Sequence, residues 1–268
     1  METSELTDTQ WERLRPLLPA QKPRTGRPAN DHCTVLNGIL WILRTGKPVA
    51  DPAGALRLVE DGLQPLLPLA TGGGVGSHPF RAATAGGRRR TAGLDAPLRR
   101  QHRGPGAPAR GRGERGDPAT EALGRSRGGY GTKVHLRCER GGKPMVVVLT
   151  GGERHEQPVL PLLMERGAVK RRGRGRPRIR PERVAGDKGY SSPTIRRYLK
   201  ERRIGAVIPT RADEVPDPTF DREAYRERNV VERLINRLKQ FRRVATRYEK
   251  RAANYLAMLA FATILLWL

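Results

Sequence analysis

Apolar residues at the start of the chain fall at near-helical spacing, with Trp11, Leu14 and Leu18 following Thr7, Asp8 and Gln10. The first three polar residues have the arrangement of a capping box, so a short helix is predicted, stopped by Pro19. Pro23, Gly26 and Pro28 then form a linker, and Asp31 can cap a second helix whose apolar set is Val35, Leu36, Ile39, Leu40 and Leu43. Residues 1–48 thus read as a small helical N-terminal module. From Gly131 the pattern changes to that of a sheet: Thr132 to Cys138 alternate, Met145 to Thr150 are nearly all apolar, and Gly141 and Gly142 join them as a β-hairpin. A helix is expected from Val159 to Glu165, then a basic loop from Lys170 to Arg183. Val184 and Ala185 form a short strand leading into Gly186 and Asp187, followed by a helix from Thr194 to Arg203 and a strand at Ala206 to Pro209. A loop holding Pro216 and Pro218 precedes a long helix from about Arg222 to Arg243. The alternation of strands and helices predicts a mixed α/β domain over 117–268. The closing run, Ala253 to Leu268, is shorter than the roughly 20 residues needed to cross a bilayer and reads as a core helix, with no membrane partner.

Between these regions, residues 49–116 contain no Ile, Lys, Asn, Tyr, Trp, Met or Cys, while Gly, Ala, Pro and Arg abound. Such text does not readily build a core, and a disordered linker is one account of it. Out-of-frame translation is the other. Back-translated with GC-rich codons and read one base over, Leu94 to Arg110 can become WTLHYVDSTVVRAHQHAA, which is patterned protein text. Sequencing the gene and aligning its three frames separates the two.

Charge narrows the partner. With 52 Lys and Arg against 27 Asp and Glu, the net charge is +25 and the pI is near 11.3, which favours nucleic acid over small neutral substrates. GC-rich coding also enriches Arg, but the basic residues here cluster near motifs. Cys33 and Cys138 are too far apart in sequence for a CxxC metal site and too few for a disulfide framework, in keeping with a reducing cytoplasm. No secretion signal is visible at the N-terminus.

The long helix carries the most specific pattern. At about 100° per residue, Arg228, Glu232 and Lys239 lie within about 60° of Tyr225, while Val231, Leu234, Ile235, Leu238 and Phe241 occupy another side. One side packs and the other presents a carboxylate among cations. The spacing Tyr, two residues, Arg, three residues, Glu, six residues, Lys stands here as YRERNVVERLINRLK and resembles the signature of bacterial DDE-type transposases of the insertion-sequence 4/5 group. LTDTQWERLRPLLP, GRPANDHCTVLNGILWILRTGKP, EALGRSRGGYGTKVHLRC, VAGDKGYSS and RYEKRAANYLAMLAFATILLWL share the resemblance, which covers about 6–48 and 117–268.

The resemblance implies an RNase H-like catalytic domain in which three acids hold two Mg²⁺ or Mn²⁺ ions, hard cations that prefer oxygen ligands. Asp187 matches the second acid and Glu232 the third, both as catalytic residues and metal ligands. Turn or helix capping is the bland alternative for Asp187. Tyr225, Arg228 and Lys239 match DNA-contacting positions. The implied partners are double-stranded DNA at the element's terminal repeats and target DNA, with a homodimer at work on the bacterial nucleoid. The first acid is expected on a strand preceding the hairpin, inside the anomalous segment. Asp95 is the acid nearest that place, but its surroundings, TAGLDAPLRR, do not read as a buried strand. Loss of that strand would leave sheet edges unpaired.

Three functions therefore compete: an active transposase, a DNA-binding remnant unable to cut, and a basic nucleoid- or ribosome-associated protein. GDKGY and the helix signature argue against the last. Gly173 to Arg178, GRGRPR, resembles a minor-groove AT-hook core or a flexible basic loop. The glycines at 72–74 and 76 lack the Lys-Ser/Thr of a phosphate-binding loop. The five histidines, His32, His78, His102, His135 and His155, show no metal-ligand spacing.

Overall fold

The computed structural model describes residues 5–19, 21, 30–46, 91–94, 100–101, 121–126, 129–167 and 180–268. It divides into two compact units, one formed by Met1–Ala82 with Leu238–Leu268 and the other by Ala83–Arg237. Asp95, His78, His102, the glycines at 72–76 and GRGRPR lie outside the described residues.

In the first unit, α1 (Asp8–Leu14) begins at the expected capping box: the Thr7 hydroxyl accepts from Gln10 N–H, and the Gln10 side chain returns to the Thr7 N–H. A single 3₁₀ turn follows at Arg15–Leu17. Helix α2 (His32–Thr45) is capped by Asp31, whose carboxylate accepts from Thr34 N–H at 2.9 Å, and it ends at Gly46 in the left-handed region. Its buried face, Val35, Leu36, Ile39, Leu40, Ile42 and Leu43, contains the predicted stripe. The C-terminal segment returns to this unit as α7 (Arg242–Ala245) and α8 (Ala252–Leu265). Helix α8 buries Tyr255 and the run Ala257–Ala262 and serves as core. Among the described residues, no helix is long and apolar enough to cross a membrane.

The second unit is built on a mixed sheet. The expected hairpin is β4 (Gly129–Cys138) and β5 (Pro144–Gly151), antiparallel, with Thr132 opposite Gly151 and His135 opposite Val148. Its turn closes through Gly142 N–H to Glu139 O at 2.9 Å, and Gly142 has φ +81°. Glycine is required there twice over, because a Cβ would lie 2.6 Å from Val230 Cγ2. Strand β6 (Arg183–Ala185) and β7 (Gly205–Val207) run parallel, connected by α4 (Pro193–Glu201). Helix α3 (Leu160–Arg166) follows β5. Val146, Val148, Leu160, Leu163, Val184, Ile195, Leu199 and Ile208 form one core between the sheet and these helices.

Two expectations are corrected. Backbone at β1 (Thr91–Leu94) pairs antiparallel with β4, Gly93 opposite Cys138, and parallel with β6, Gly93 opposite Ala185. The sheet therefore runs β5, β4, β1, β6, β7, with short β2 (Arg100–Gln101) and β3 (Gly124–Ser126) also on β4. TAGL forms a strand despite its weak composition because ladder bonds use backbone groups, and β-propensity yields to the neighbours on either side. The sheet edges expected to lie unpaired are thus bridged by β1 at Arg137 and Cys138 of β4 and at Arg183–Ala185 of β6.

The long helix is also not continuous. It is broken into α5 (Arg222–Arg226), α6 (Asn229–Lys239) and the separate α7. At the first break Arg228 N–H bonds Tyr225 O, Val230 N–H bonds Glu227 O and Val231 N–H bonds Arg228 O, all three residues back rather than four. This tighter winding turns the chain so that Ala224 packs with Ala185 and Val207, while Val231, Leu234 and Ile235 are buried on α6.

Candidate functional site

Asp187 follows the end of β6, where Gly186 N–H still donates to Val207 O at 3.2 Å and prolongs the parallel pairing. Its Oδ1 accepts from Lys188 N–H at 2.7 Å, and its carbonyl accepts from Tyr190 N–H at 2.9 Å, closing a 3₁₀ turn over Lys188–Tyr190. The capping role is real. It leaves Asp187 partly exposed, whereas Tyr190, at the other end of the turn, is fully buried and anchors it in the core. Ser191 is buried too, held by Arg196 Nη2 at 3.1 Å, by Gln157 Nε2 to its carbonyl at 3.2 Å, and by its own hydroxyl bond to Glu214. The hydrogen bond from Ser191 holds the Glu214 carboxyl below the usual carboxylate range.

Glu232 lies in the first turn of α6, and its Oε1 accepts from Arg228 Nη2 at 2.9 Å. The Arg228 guanidinium also stands 5.6 Å from the centre of the Tyr225 ring, which packs against Phe220 at 5.5 Å. Tyr225 thus belongs to a small cluster with Ala185, two residues before Asp187. Burial works against the Arg228 charge, but Tyr225, Glu232 and Asp187 outweigh it and raise its pKa further. Tyr225 and Glu232 both meet the Arg228 guanidinium, and the charge of Asp187 favours it, even though the helix that was to unite the family positions is broken. Lys239 is the exposed last residue of α6 and belongs to the first unit.

A family profile described as "Transposase DDE domain" matches residues 103–267, more than half of the chain. The chain belongs to the DDE transposase family. A second profile, "Putative transposase of IS4/5 family", matches residues 6–51, so residues 52–102 lie between the two matches. The chain is similar to the "Putative transposase for insertion sequence element IS402" of Burkholderia cepacia, 33% identical over 151 residues, which is 56% of this chain and 69% of the relative. It is also similar to the "Putative transposase for insertion sequence element IS6501" of Brucella ovis, 28% identical over 141 residues, 51% of this chain and 98% of the relative. No solved structure matches the chain.

DDE transposases take their name from three acids that hold divalent cations, and carboxylates such as Asp187 and Glu232 have the hard oxygen donors such ions need. Their number falls short: among the described residues, no group of three or more His, Cys, Asp or Glu is placed to hold a metal. One oxygen of Glu232 is moreover engaged by Arg228. The acid next in sequence after β1 is Asp95, outside the described residues.

Sequence reasoning missed a row of buried basic residues in this transposase. Lys133, His135 and Arg137 are successive same-face residues of β4 and are all buried. Lys133 Nζ bonds Glu156 Oε1 at 3.0 Å and also the Arg154 carbonyl. His135 Nε2 pairs with Thr150 Oγ1 at 2.9 Å, and burial, helped by Lys133 and opposed by Glu156, pushes its pKa down to about 4. Arg137 donates to Leu163 O and Met164 O at 3.2 Å, satisfying carbonyls in the last turn of α3. The alternation TKVHLRC alone suggests a solvated polar face. His155 is exposed.

Proposed function

We propose that this chain is an insertion-sequence transposase with an RNase H-like catalytic domain that cleaves strands at element ends and joins the freed 3′ hydroxyl to target DNA. The reading is carried by the Glu232–Arg228 pair at 2.9 Å, to which the charge of Asp187, at the end of β6, adds its attraction. The sheet order supports it as well, with an antiparallel hairpin on one side of β1 and parallel strands on the other. Asp187 and Glu232 are the proposed catalytic carboxylates, and Mg²⁺ or Mn²⁺ bound by them would supply Lewis-acid activation of the phosphate and its attacker.

Arg228 has the role of holding a DNA phosphate. Nη2 is committed to Glu232, but Nη1 is buried and has no protein acceptor. A buried N–H without an acceptor costs about 1–3 kcal/mol, which a phosphate oxygen would relieve. Tyr225 steadies the guanidinium by its ring face, and Lys239 offers an exposed cation to the backbone. Phosphate contacts of this kind position DNA without reading its sequence. Terminal-repeat duplex and target DNA are the proposed partners, on a nucleoid in the bacterial cytoplasm, with two copies pairing the two ends.

The composition of residues 49–116 favours a second reading, a remnant that binds DNA without cutting it. Purified protein incubated with an element-end duplex and Mg²⁺ or Mn²⁺ decides between them. End-specific cleavage lost in Asp187→Ala and Glu232→Ala supports the transposase, and its further loss in Asp95→Ala would identify the first acid. Salt-sensitive binding without cleavage supports the remnant. Absence of both binding and cleavage removes both readings.

A further inference from the structure

Beneath the turn that carries Asp187 lies an ion pair that no part of the proposed reaction uses. Side-chain exposure is only 8% for Lys133 and 19% for Glu156, with 3.0 Å between Nζ and Oε1. Ion pairs withdrawn from water this far seldom add net stability, since desolvation offsets their attraction and apolar replacements often do as well. Their better-attested contribution is to fix one arrangement among several.

The pair is well placed for that. Lys133 stands on the central stretch of β4, opposite Thr150 of β5, and its ammonium ties down both Glu156 and the Arg154 carbonyl, hence the segment leading out of β5. Glu156 in turn faces the Asp187 turn: a Cβ built on Gly189 would meet its carboxylate at 3.6 Å, in ordinary van der Waals contact. The next residue, Gln157, donates to Ser191 O at 3.2 Å, one residue past the same turn. The turn spans only Lys188–Tyr190 and closes with hydrogen bonds from Tyr190 N–H and Ser191 N–H. So short an element needs outside support to hold a side chain within the tolerance chemistry demands.

We infer that Lys133 and Glu156 are positioning residues for Asp187, transmitting the rigidity of β4 to the Lys188–Tyr190 turn through the Glu156 carboxylate. The inference rests on the proposed role of Asp187 for its functional meaning, but its structural core can be read without any activity.

Hydrogen exchange followed by mass spectrometry on the full chain tests it. In Glu156→Gln and in Lys133→Met, exchange in peptides covering Gly186–Ser192 is expected to rise roughly tenfold, as for a local opening, while peptides covering Val146–Leu149 stay unchanged. The charge-exchanged double variant Lys133→Glu with Glu156→Lys is expected to return the turn toward wild-type exchange. Unchanged exchange at Gly186–Ser192 in Glu156→Gln overturns the inference. So does an equal rise in the hairpin and the turn in both single variants, which marks a general loss of stability. Where the wild-type chain cleaves DNA, the single variants are expected to lower kcat with KM for DNA unchanged. A chain that never cleaves refutes the transposase reading and leaves the exchange result standing.

Discussion

Replacing Arg228 by Met separates what its guanidinium does for the fold from what it does for DNA. Met keeps much of the aliphatic stem and removes the charge. The pair with Glu232 spans four residues, with side-chain exposures of 15% for Arg228 and 46% for Glu232. An exposed helical pair of this spacing contributes about 0.3–0.5 kcal/mol, and the screened carboxylate keeps the value near that range. The substitution also removes the buried Nη1, which has no acceptor. The net cost to stability is therefore about 1 kcal/mol or less, a drop of roughly 2–4 °C in Tm for a protein of this size. DNA affinity should suffer more. A charge-assisted bond to phosphate contributes about 1.5–3 kcal/mol, so binding should weaken by roughly 10- to 150-fold. Its release of one counterion should leave the slope of log K against log salt shallower by about 0.9. Fluorescence anisotropy with a labelled duplex over a salt series measures both quantities, and a thermal melt reports stability. Arg228→Lys should restore little, because a compact ammonium lacks the planar fork that holds Glu232 with one nitrogen and offers another to a phosphate oxygen. An unchanged salt slope in a variant with intact melting would refute the phosphate role.

Asp187→Asn retains an acceptor for Lys188 N–H, so Tm should stay within about 2 °C, whereas cleavage should fall more than about a hundredfold, beyond the usual loss when only a hydrogen-bond partner of a metal ligand is changed; equal cleavage by this variant would reduce Asp187 to a capping residue. His135 has a folded pKa of about 4 against an ordinary 6.5. The unfolded chain takes up its proton first, so the stability His135 contributes is complete above pH 6.5 and lost as pH falls toward 4, about 3 kcal/mol in all. Urea unfolding between pH 7 and 4.5 should show a smaller loss in His135→Gln than in wild type, and parallel pH profiles would contradict the assignment. Gly142→Ala forces a side chain into φ +81° and against Val230 Cγ2. It should cost at least about 1–2 kcal/mol, visible as a lower urea midpoint.

Local pattern alone determined much of this protein. The Thr7 and Asp31 caps, the apolar stripe of α2, the 132–150 hairpin and the position of Asp187 at a strand end all depend on residues within a few places of one another, and each appears in the structure. The spacing from Tyr225 to Glu232 marked the family for the same reason. Three features were decided only by contacts distant in sequence. TAGL becomes a central strand because β4 and β6 offer it backbone partners on both sides. The helix breaks at Glu227 and Arg228, and Ala224 packs with residues of β6 and β7 while Val231 and Leu234 are buried on α6. Lys133, His135 and Arg137 look like a solvated strand face until Glu156, Thr150 and the last turn of α3 supply partners. A polar side chain's burial depends on whether a distant segment can satisfy its hydrogen bonds, and periodicity in one strand carries no record of that.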